Sequence, residues 1–573
     1  MKNLLKFFTY FGENKRSFYK YFFLSLIVGL LELFGVALTY PFVLKLLSDY
    51  KGIYTLTLGL LIVFLFLLKS AVMIVYSYYQ ARFTKNIEKE IHLKFVKYFL
   101  ATNYYESSRI SLAQKGNILS FIVPNVINNY ILRIQNVIVN VFIFMLITAL
   151  LLVKFTEATI VTIICAILLI YAQNKFFKPR LQKISEKLTL ASEKHNQAFN
   201  ESLINLKGVK VSNNEYYFYE NYKEKLKDLY KNQYKMMFLN IVPPYITEPC
   251  IIILLFVLLT IITLQNYSDP QRLVASFAII VSAIFRLAPA ISRIQVNLNG
   301  ISSSKVLVDK LLTLYETNSI GAVKDIHKKD FCTFNNCIEL KQIYFEYEKN
   351  KPVLNNINLK IKKGEFLGIA GLSGAGKTTL IDIISGLLCQ TGGDFLIDGI
   401  KSNKPLKIGY IPQEISTINA SIKENVIFGT DGNSDNEKII DVLKKVQLYD
   451  FILKNYSDGI NANPFVDSTG FSQGQKQRLA IARALYSEPD IIILDEATSS
   501  LDLKTEDEIC NVLENLKGKK TIIAVAHRLS TIKSADKIAF LNNGTIENCL
   551  PFNELYEQNQ SFKELVELAS IKD

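Results

Sequence analysis

The pattern of hydrophobic and polar positions divides the chain into two halves. Long apolar runs dominate before about residue 295, and a normal globular mixture of apolar and polar residues follows from about residue 336. A membrane-spanning helix needs about 20 mainly apolar residues. By that criterion the first half predicts six spans, near residues 21–46, 53–79, 137–153, 158–171, 241–264 and 273–291. The third and fourth runs are short, so we expect both to extend into flanking residues.

The connections between these spans alternate in length. Spans 1–2, 3–4 and 5–6 are joined by a few residues, whereas spans 2–3 and 4–5 are joined by roughly 60–70 residues each. The long connections are rich in Lys and Arg, and loops of that kind stay in the cytoplasm. Apolar residues recur in them at three- and four-residue spacing, which predicts helices that continue out of the membrane. We expect turns between these helices near residues 101–108 and 206–215.

Composition and charge agree with this division. The chain has 573 residues, of which 50% are hydrophobic and 20% charged, and both fractions are high because the two kinds of residue are segregated. Much of the excess charge behind the net +13 lies between apolar runs, so we predict no nucleic-acid partner. The seven cysteines are scattered, which favours free thiols in a reducing compartment.

Ionisable residues inside the predicted spans are costly and therefore candidates for function. They are Glu32, Lys69, Glu248 and Arg286, and Lys69 would either pair with Glu32 or reach the membrane surface. Arg286 and Arg293 are seven residues apart, on one face of the sixth helix, and would suit an anionic head group. We assign Glu32, Glu248, Arg286 and Arg293 to a substrate cavity. The alternative for each is a buried ion pair or an interfacial anchor.

The second half alternates strand-like runs with helical stretches, which is typical of an α/β domain. Residues 366–370 predict a buried strand, residues 371–378 read Gly-Leu-Ser-Gly-Ala-Gly-Lys-Thr, and residues 379–388 predict a helix. In that context the glycines turn backbone amides toward phosphates. Lys377 would reach the β- and γ-phosphates, and Thr378 would offer its hydroxyl to Mg²⁺.

A second apolar strand, residues 491–494, ends in two acids. Asp495 is placed to hold Mg²⁺, directly or through water, and Glu496 to polarise an attacking water. Two acids at the end of a core strand would not by themselves indicate chemistry. Beside a phosphate-binding loop they predict nucleotide hydrolysis.

The order of these motifs resembles that of an ABC ATPase. The segment Phe471-Ser-Gln-Gly-Gln475 is similar to the family signature Leu-Ser-Gly-Gly-Gln, and Ser500-Leu-Asp502 resembles the D-loop. The resemblance implies that Gln413 senses Mg²⁺ and the membrane domain, that His527 contacts the γ-phosphate, and that Tyr347 stacks on adenine.

The motifs and the resemblance together imply a complete ATP site. Its catalytic residues would be Glu496, His527 and Gln413. Its Mg²⁺ ligands would be Thr378, Gln413 and Asp495. The residues expected to contact ATP are Tyr347, Gly371, Leu372, Ser373, Gly374, Ala375, Gly376, Lys377, Thr378, Thr379, Ser472, Gln473, Gly474 and Gln475.

Six spans followed by one ATPase domain resemble the half-transporter ABC exporters. This implies a multi-pass α-helical membrane domain in residues 1–310, a linker in residues 311–335 and an α/β nucleotide-binding domain in residues 336–573. Ser472 of a second copy would complete each ATP site, so we expect a homodimer or a heterodimer with a second half-transporter. Residues 32–41 and 285–293 resemble stretches of flippases for lipid-linked oligosaccharides.

We therefore predict an ATP-driven exporter or flippase of the inner (cytoplasmic) membrane, with its ATPase domain in the cytoplasm. Its partners would be membrane lipid and an amphipathic, anionic, lipid-linked substrate. The alternatives are a multidrug, lipid or peptide exporter of the same architecture, or an ATP-gated channel or regulator. Two departures from the family pattern stand out: Phe471 and Gln473 replace Leu and Gly, and the segment 463–470 is short.

Overall fold

A computed structural model of the chain provides the architecture. It describes residues 6–7, 9–10, 15–47, 52–154, 156–265, 270–317, 331–332, 334–348, 350–401, 405–430, 435–464, 470–495, 503–525 and 529–570. The chain divides into two compact units. The first comprises Met1–Thr102 and Ser107–Ile326, and the second comprises Asn103–Glu106 and His327–Asp573.

Six stretches in the described part of the first half are helical, long and apolar enough to cross a membrane. The helices are α1 Lys15–Ala37, α2 Thr39–Leu47, α3 Ile53–Ala101, α4 Tyr104–Ser108, α5 Leu112–Asn117, α6 Val123–Val126, α7 Leu132–Lys154, α8 Thr156–Ile204, α9 Leu206–Val211, α10 Glu215–Gln265 and α11 Pro270–Thr317. Two π-helical segments, Ile118–Ile122 and Ile127–Ile131, connect α5, α6 and α7. The ends of α3 and α8 confirm the two predicted turns, and the long helices confirm that the apolar runs continue into polar helices.

The first span differs from a single helix because it is interrupted at Leu38. Pro41 lies four residues after Ala37, the last residue of α1. Proline has no N–H to donate to the carbonyl four residues earlier, and its ring collides with that carbonyl. At the same break, the Thr39 hydroxyl donates to the Val36 carbonyl at 2.7 Å. The span therefore consists of α1 followed by α2.

Polar contacts fix the position of α11 along α8 and along the second π-helical segment. The Ser185 hydroxyl of α8 donates to the Ser303 carbonyl, and Lys310 pairs with Glu193 eight residues further along α8. The Ser304 hydroxyl donates to the Asn129 carbonyl at 2.9 Å. Because these hydrogen bonds are made in partly or fully buried positions, a shift of one helix along another would leave polar groups unpaired. The buried apolar core at this end of the helices is formed mainly by α3, the π-helical segments and α11.

The described residues of the second unit form ten strands and the helices that cover them. The strands are β1 Cys337–Glu348, β2 Lys351–Lys362, β3 Phe366–Gly371, β4 Gly392–Ile397, β5 Ile400–Lys401, β6 Ile408–Ile411, β7 Ile491–Asp495, β8 Thr521–Val525, β9 Lys537–Asn542 and β10 Thr545–Leu550. The helices are α12 Lys377–Ile384, α13 Ile422–Ile427, α14 Asn436–Lys445, α15 Tyr449–Asn455, α16 Gln473–Tyr486, α17 Leu503–Leu516, α18 Leu529–Lys533, α19 Phe552–Gln558 and α20 Gln560–Ser570.

The strands form two sheets, and the larger one positions the predicted site. Its order is β10-β9-β3-β8-β7-β6, with β9, β3, β8, β7 and β6 parallel and β10 antiparallel. Every residue of β7 and β8 is buried, as expected for parallel strands covered on both faces. The carboxyl ends of the parallel strands lie along one edge of the sheet. A smaller antiparallel sheet has the order β2-β1-β4-β5. The α/β prediction for the second half is confirmed.

Candidate nucleotide site and membrane cavity

The loop between β3 and α12 has a backbone that favours glycine. Gly374 and Gly376 have φ values of +81° and +101°. A Cβ on Gly371 would lie 2.2 Å from the Leu541 carbonyl oxygen in β9, and a Cβ on Gly376 would lie 2.8 Å from Leu354 Cδ2. Only glycine allows so close an approach of two backbones. The predicted phosphate-binding loop therefore has the glycine-dependent geometry that its motif requires.

The Lys377 side chain is buried against this loop. Its Nζ donates to the carbonyls of Gly371 at 2.9 Å and Leu372 at 3.1 Å. An ammonium group held there lies beside the N-terminus of α12, where a phosphate is also favoured. Thr378 is exposed in the first turn of α12, whereas Thr379 is buried. The loop residues Ser373 and Gly374 are exposed and Ala375 is buried.

Tyr347 presents part of its ring beside the loop. Its hydroxyl lies 3.2 Å from the Thr379 hydroxyl, and its ring packs edge-on against Phe345. Tyr105, which belongs to the same compact unit, places its ring centroid 5.5 Å from that of Tyr347 and donates to its carbonyl at 3.2 Å. Tyr105 falls within the turn predicted near residues 101–108, but nothing in the sequence pattern singles it out.

Asp495 and Gln413 are brought to the same edge of the sheet by neighbouring strands. Asp495 ends β7 and is buried, and the Tyr410 hydroxyl of β6 donates to its Oδ2 at 2.8 Å. Burial, together with the hydrogen bond to Asp495 and the charge of Asp495, raises the pKa of Tyr410 well above its ordinary value. Tyr410 therefore stays a donor at neutral pH. Gln413 is exposed two residues after β6.

Asp382, on α12, is a third acidic residue of the site that sequence reasoning missed. Burial raises the pKa of its carboxyl to about 6, and the negative charge of Asp495 adds to that rise. The same two aspartates also contribute to the raised pKa of Tyr410. The region behind the phosphate-binding loop is therefore negatively charged and only partly solvated, which suits the binding of a divalent cation.

The signature segment begins α16 with a reciprocal cap. The Ser472 hydroxyl accepts from the Gln475 backbone N–H at 3.3 Å, and the Ser472 N–H donates to Gln475 Oε1 at 2.8 Å. Gln473 and Gly474 occupy the first turn of this 14-residue helix. The polar signature residues thus lie at a helix N-terminus, where an anion is stabilised.

The residue that departs from the family signature, Phe471, is buried. Its ring centroid lies 6.1 Å from those of Phe451 and Tyr456. Three aromatic rings at these separations form a packed cluster below the start of α16. Phenylalanine is therefore explained by the local core, which the sequence pattern alone did not show.

Several predicted functional residues lie outside the described residues. They are Glu496, the D-loop segment Ser500-Leu-Asp502 and His527, together with most of the short segment that precedes the signature. In the sequence Glu496 directly follows β7, and His527 follows β8 by two residues. Their roles remain predictions.

In the first unit, three of the four predicted cavity residues line one cavity of about 420 Å³. Glu32, Arg286 and Arg293 line it together with Lys69, and Tyr76 and Asn140 are among its other lining residues. Glu248, the fourth, is exposed on α10 and is not among the lining residues.

Glu32 is shared between two cations. It pairs with Lys69, and its Oε2 lies 3.3 Å from Arg286 Nη1. The side chains of Glu32, Lys69 and Arg286 are 12%, 17% and 29% exposed, so the group is largely removed from solvent. The Arg286 guanidinium also lies 4.8 Å from the centre of the Phe66 ring. Both interpretations of Arg286 thus apply, because it is ion-paired and it lines the cavity.

The cavity carries an excess of positive charge. Lys69, Arg286 and Arg293 supply three cations against the single carboxylate of Glu32. Within the part of the chain that the structure describes, Arg293 has no acidic group within ion-pair distance. A phosphate or carboxylate entering the cavity would therefore meet cations that Glu32 alone does not neutralise.

Comparison with known families agrees with this geometry. The family model for the ABC transporter transmembrane region matches residues 18–285, and the family model described as ABC transporter matches residues 354–499. Together they cover most of the chain. The chain belongs to the ABC transporter family. Its second unit is therefore an ABC ATPase domain, which implies that it binds ATP.

Parts of this ABC chain are similar to several named relatives. It is 34% identical over 306 residues to the heterocyst differentiation ATP-binding protein HepA of Nostoc, a match that covers 52% of the chain and 49% of the relative. It is 34% identical over 250 residues to the ATP-dependent lipid A-core flippase of Francisella tularensis, covering 43% and 41%. It is 40% identical over 229 residues to the leukotoxin translocation ATP-binding protein LktB of a Pasteurella haemolytica-like species, covering 39% and 32%. The chain thus spans about half or less of each of these relatives.

The fold is that of an exporter along its whole length. A bacterial Atm1-family ABC exporter with ATP bound superposes with a TM-score of 0.83 and covers 97% of this chain and 98% of that one, at 18% identity. At that identity the similarity shows the fold alone. It confirms the resemblance to half-transporter exporters that the six spans and the single ATPase domain predict.

The buried aromatic cluster generates the first testable prediction. Phe471→Leu, which restores the residue of the family signature, should destabilise this chain by about 1 kcal/mol, because it removes a packed ring from between Phe451 and Tyr456. The measurement is the apparent melting temperature of the purified ABC chain in detergent. Phe331→Leu, at an exposed position of the same unit, is the control. An unchanged melting temperature would contradict the packing argument.

Asp382 generates a prediction about pH. Its pKa of about 6 lies above the unfolded value, so folding favours its neutral form and the charged form costs stability as pH rises from about 4 through 6. Asp382→Asn should therefore stabilise the protein by about 2 kcal/mol at pH 7.5, after allowance for solvent screening, and by less than half of that at pH 4.5. Melting temperatures at the two pH values, with the exposed Asp450→Asn as control, measure the difference. An equal rise in melting temperature at both pH values would disprove the raised pKa of Asp382.

Proposed function

We propose that the protein is an ATP-driven exporter or flippase that moves an amphipathic, anionic substrate, such as a lipid-linked glycan, across the inner membrane from the cytoplasmic side. Two copies of the chain would form the active unit. The observation that carries this proposal is the combination, in one ABC exporter chain, of an ATP-binding loop and a helical unit whose cavity holds three cations against one acid.

The residues of the nucleotide site fit ATP and Mg²⁺. The described residues contain no group of three His, Cys, Asp or Glu side chains that could hold a metal alone. Mg²⁺ would therefore be held jointly by Thr378, Asp495, Gln413 and the phosphate oxygens of the nucleotide. When bound, the ion neutralises charge on the transferred phosphoryl group.

Separate side chains of the chain would bind ATP and catalyse its hydrolysis. When ATP binds, Lys377 Nζ exchanges its hydrogen bonds with two loop carbonyls for contacts with the β- and γ-phosphates. The ring of Tyr347 stacks on adenine. Glu496 accepts the proton of the attacking water, and His527 donates to the γ-phosphate. Tyr410 holds Asp495 in place through its hydrogen bond. Each of these steps belongs to the proposed mechanism.

The second half of each ATP site would come from a second copy. Ser472 and Gly474 begin α16 and would face the γ-phosphate held by the partner's phosphate-binding loop, adding the favourable potential of a helix N-terminus. Binding of ATP between the two domains would favour the closed state and thereby shift the membrane domain to an outward-open state, since a ligand shifts an equilibrium through its differential affinity. Hydrolysis would reverse the shift.

The substrate class is inferred from the cavity and not from the names of relatives, because those names specify different cargoes. The volume of about 420 Å³ is large enough for a head group. The excess of two positive charges favours an anion and disfavours cationic drugs. Val28, Val139 and Ile143 in the lining provide apolar surface for the remainder of an amphipathic molecule.

A mixing experiment tests the shared ATP site. Lys377→Ala and Ser472→Arg should each abolish hydrolysis, because each damages both sites of a homodimer. When the two variants are co-expressed, the mixed dimer has one site with both defects and one intact site. Each variant carries a different tag, so the mixed dimer can be isolated by two successive affinity steps. Its ATPase activity should exceed that of either homodimeric variant. Activity no higher than that of the parents would refute a site shared between chains.

The cavity generates a prediction about transport. Arg293→Gln should reduce stimulation of the ATPase by a polyprenyl diphosphate in liposomes at least tenfold, because a buried phosphate loses a charge-assisted pair. Arg293→Lys should recover only part of it, since Lys lacks the bidentate geometry. Arg82→Gln, an exposed arginine of α3, is the control, and elution as a monodisperse dimer checks folding. Equal stimulation of Arg293→Gln and the control would exclude an anion-binding role.

A further inference from the structure

A second basic concavity lies between α8 and α10, outside the nucleotide site and the cavity of Glu32. We call it the juxtamembrane groove and define it by Arg180, Lys183 and Lys187 of α8 and Tyr234, Lys235 and Phe238 of α10. Its volume is about 580 Å³. Four of these six residues are cations, and no acidic side chain is among its lining residues.

The position of the groove along the helices matches the head-group layer of a membrane. The two helices run antiparallel, because His195 Nε2 lies 2.9 Å from the Tyr222 hydroxyl, while earlier residues of α8 line the groove with later residues of α10. A span of about 20 residues that starts near residue 157 ends near Phe177, so Arg180 and Lys183 lie about 5 Å and 9 Å beyond it. On α10 the apolar run starts near residue 241, one turn after Phe238. The head-group layer occupies about this interval on each side of the hydrocarbon core.

The cations of the groove are left without acidic partners. Within the described ranges, Lys183, Lys187 and Lys235 form no ion pair. Other lysines of the same two helices and their connection do form pairs, for example Lys223 with Glu220 and Lys210 with Glu215. The groove is therefore a place where positive charge accumulates next to the expected membrane surface.

Aromatic rings border these cations. Tyr234 and Phe238 are 60% and 63% exposed, and exposed rings are favoured at the membrane–water interface. The Arg180 guanidinium lies 3.6 Å from the centre of the Phe176 ring and donates to the Phe176 carbonyl at 2.8 Å. A guanidinium, lysines and exposed rings together fit a phosphate at the end of an acyl-chain lipid.

We propose that the juxtamembrane groove binds the phosphate head group of an anionic phospholipid from the leaflet into which α8 and α10 emerge. Arg180 and Lys183 contact the phosphate from one helix and Lys235 from the other, while Phe238 packs on the first part of the acyl chains. This site is separate from the transported substrate and does not depend on the proposed transport function.

The chain contains no tryptophan, so a single Trp provides an unambiguous reporter. Phe238→Trp in the full chain is reconstituted into phosphatidylcholine vesicles that contain a small fraction of brominated phosphatidylglycerol or, separately, the same fraction of brominated phosphatidylcholine. Quenching by the anionic lipid should be at least twofold stronger. Phe256→Trp, at an exposed position within the span, should show no such preference.

Charge variants test the cause of the preference. Lys183→Gln with Lys235→Gln, in the Phe238→Trp background, should remove the excess quenching, because each lysine near the surface contributes roughly fivefold to the local occupancy of an anionic lipid. Lys194→Gln with Lys227→Gln changes the net charge equally on the same helices, farther from the span, and should retain it. Equal loss in both double variants would overturn the site, since it would show only a general surface potential.

Two further outcomes would overturn the proposal. If millimolar inorganic phosphate removes the preference for phosphatidylglycerol at constant ionic strength, the groove binds free phosphate and not a lipid. If neither brominated lipid quenches Phe238→Trp while both quench Phe256→Trp, another protein surface, such as a second copy of the chain, covers the groove. Persistence of the preference in phosphate supports the lipid site.

Discussion

The close approach of Gly371 to the Leu541 carbonyl is the constraint on which the nucleotide site depends. Parallel pairing of β3 with β9 continues to the last residue of β3, and the absence of a side chain there lets the chain leave the sheet directly over β9. The turn after β9 then holds the loop, because the Gly544 N–H donates to the Ala375 carbonyl at 3.2 Å. The loop is thus fixed by the edge of the sheet before any nucleotide binds, so little conformational entropy remains to be lost on binding.

The membrane half follows a different constraint, which is the cost of an unpaired charge away from water. Glu32 satisfies two cations with one carboxylate, and this keeps Lys69 and Arg286 in a largely buried position without neutralising the surroundings. If each cation had its own acidic partner, the cavity would be neutral. If apolar side chains replaced the charged ones, the cavity would not distinguish anions from cations. The shared carboxylate therefore keeps two buried cations paired and leaves the cavity with an excess of positive charge.

The sequence predicts best those features that depend on neighbours in the chain. The six spans follow from apolar runs, and the phosphate-binding loop follows from glycine and lysine spacing within strand, loop and helix. The interruption of the first span at Leu38 was also predictable in principle, because Pro41 removes the hydrogen bond to Ala37. We did not predict it from hydropathy, which does not register backbone donors.

Features that join distant segments were not predictable in this way. Asp382, Tyr410 and Asp495 come from three separate parts of the chain, and only the order of the parallel strands brings them together. Phe471 is explained by Phe451 and Tyr456, which a motif comparison does not include. Glu248 was assigned to the cavity because it is an acid within a span, but whether such an acid faces a cavity depends on which face of α10 packs on its neighbours. Sequence spacing alone did not determine that face.

The length of α8 has a mechanical consequence. Its 49 residues form one continuous helix about 74 Å long, of which more than half extends beyond the membrane span. Such a helix is a lever arm, since a tilt of about 10° within the span displaces its far end by roughly 7 Å. The contacts of Ser185 and Glu193 join α8 to α11, so a tilt of one helix would carry the other with it. A small tilt of α8 within the membrane would thereby become a displacement about as large as a side chain at its far end.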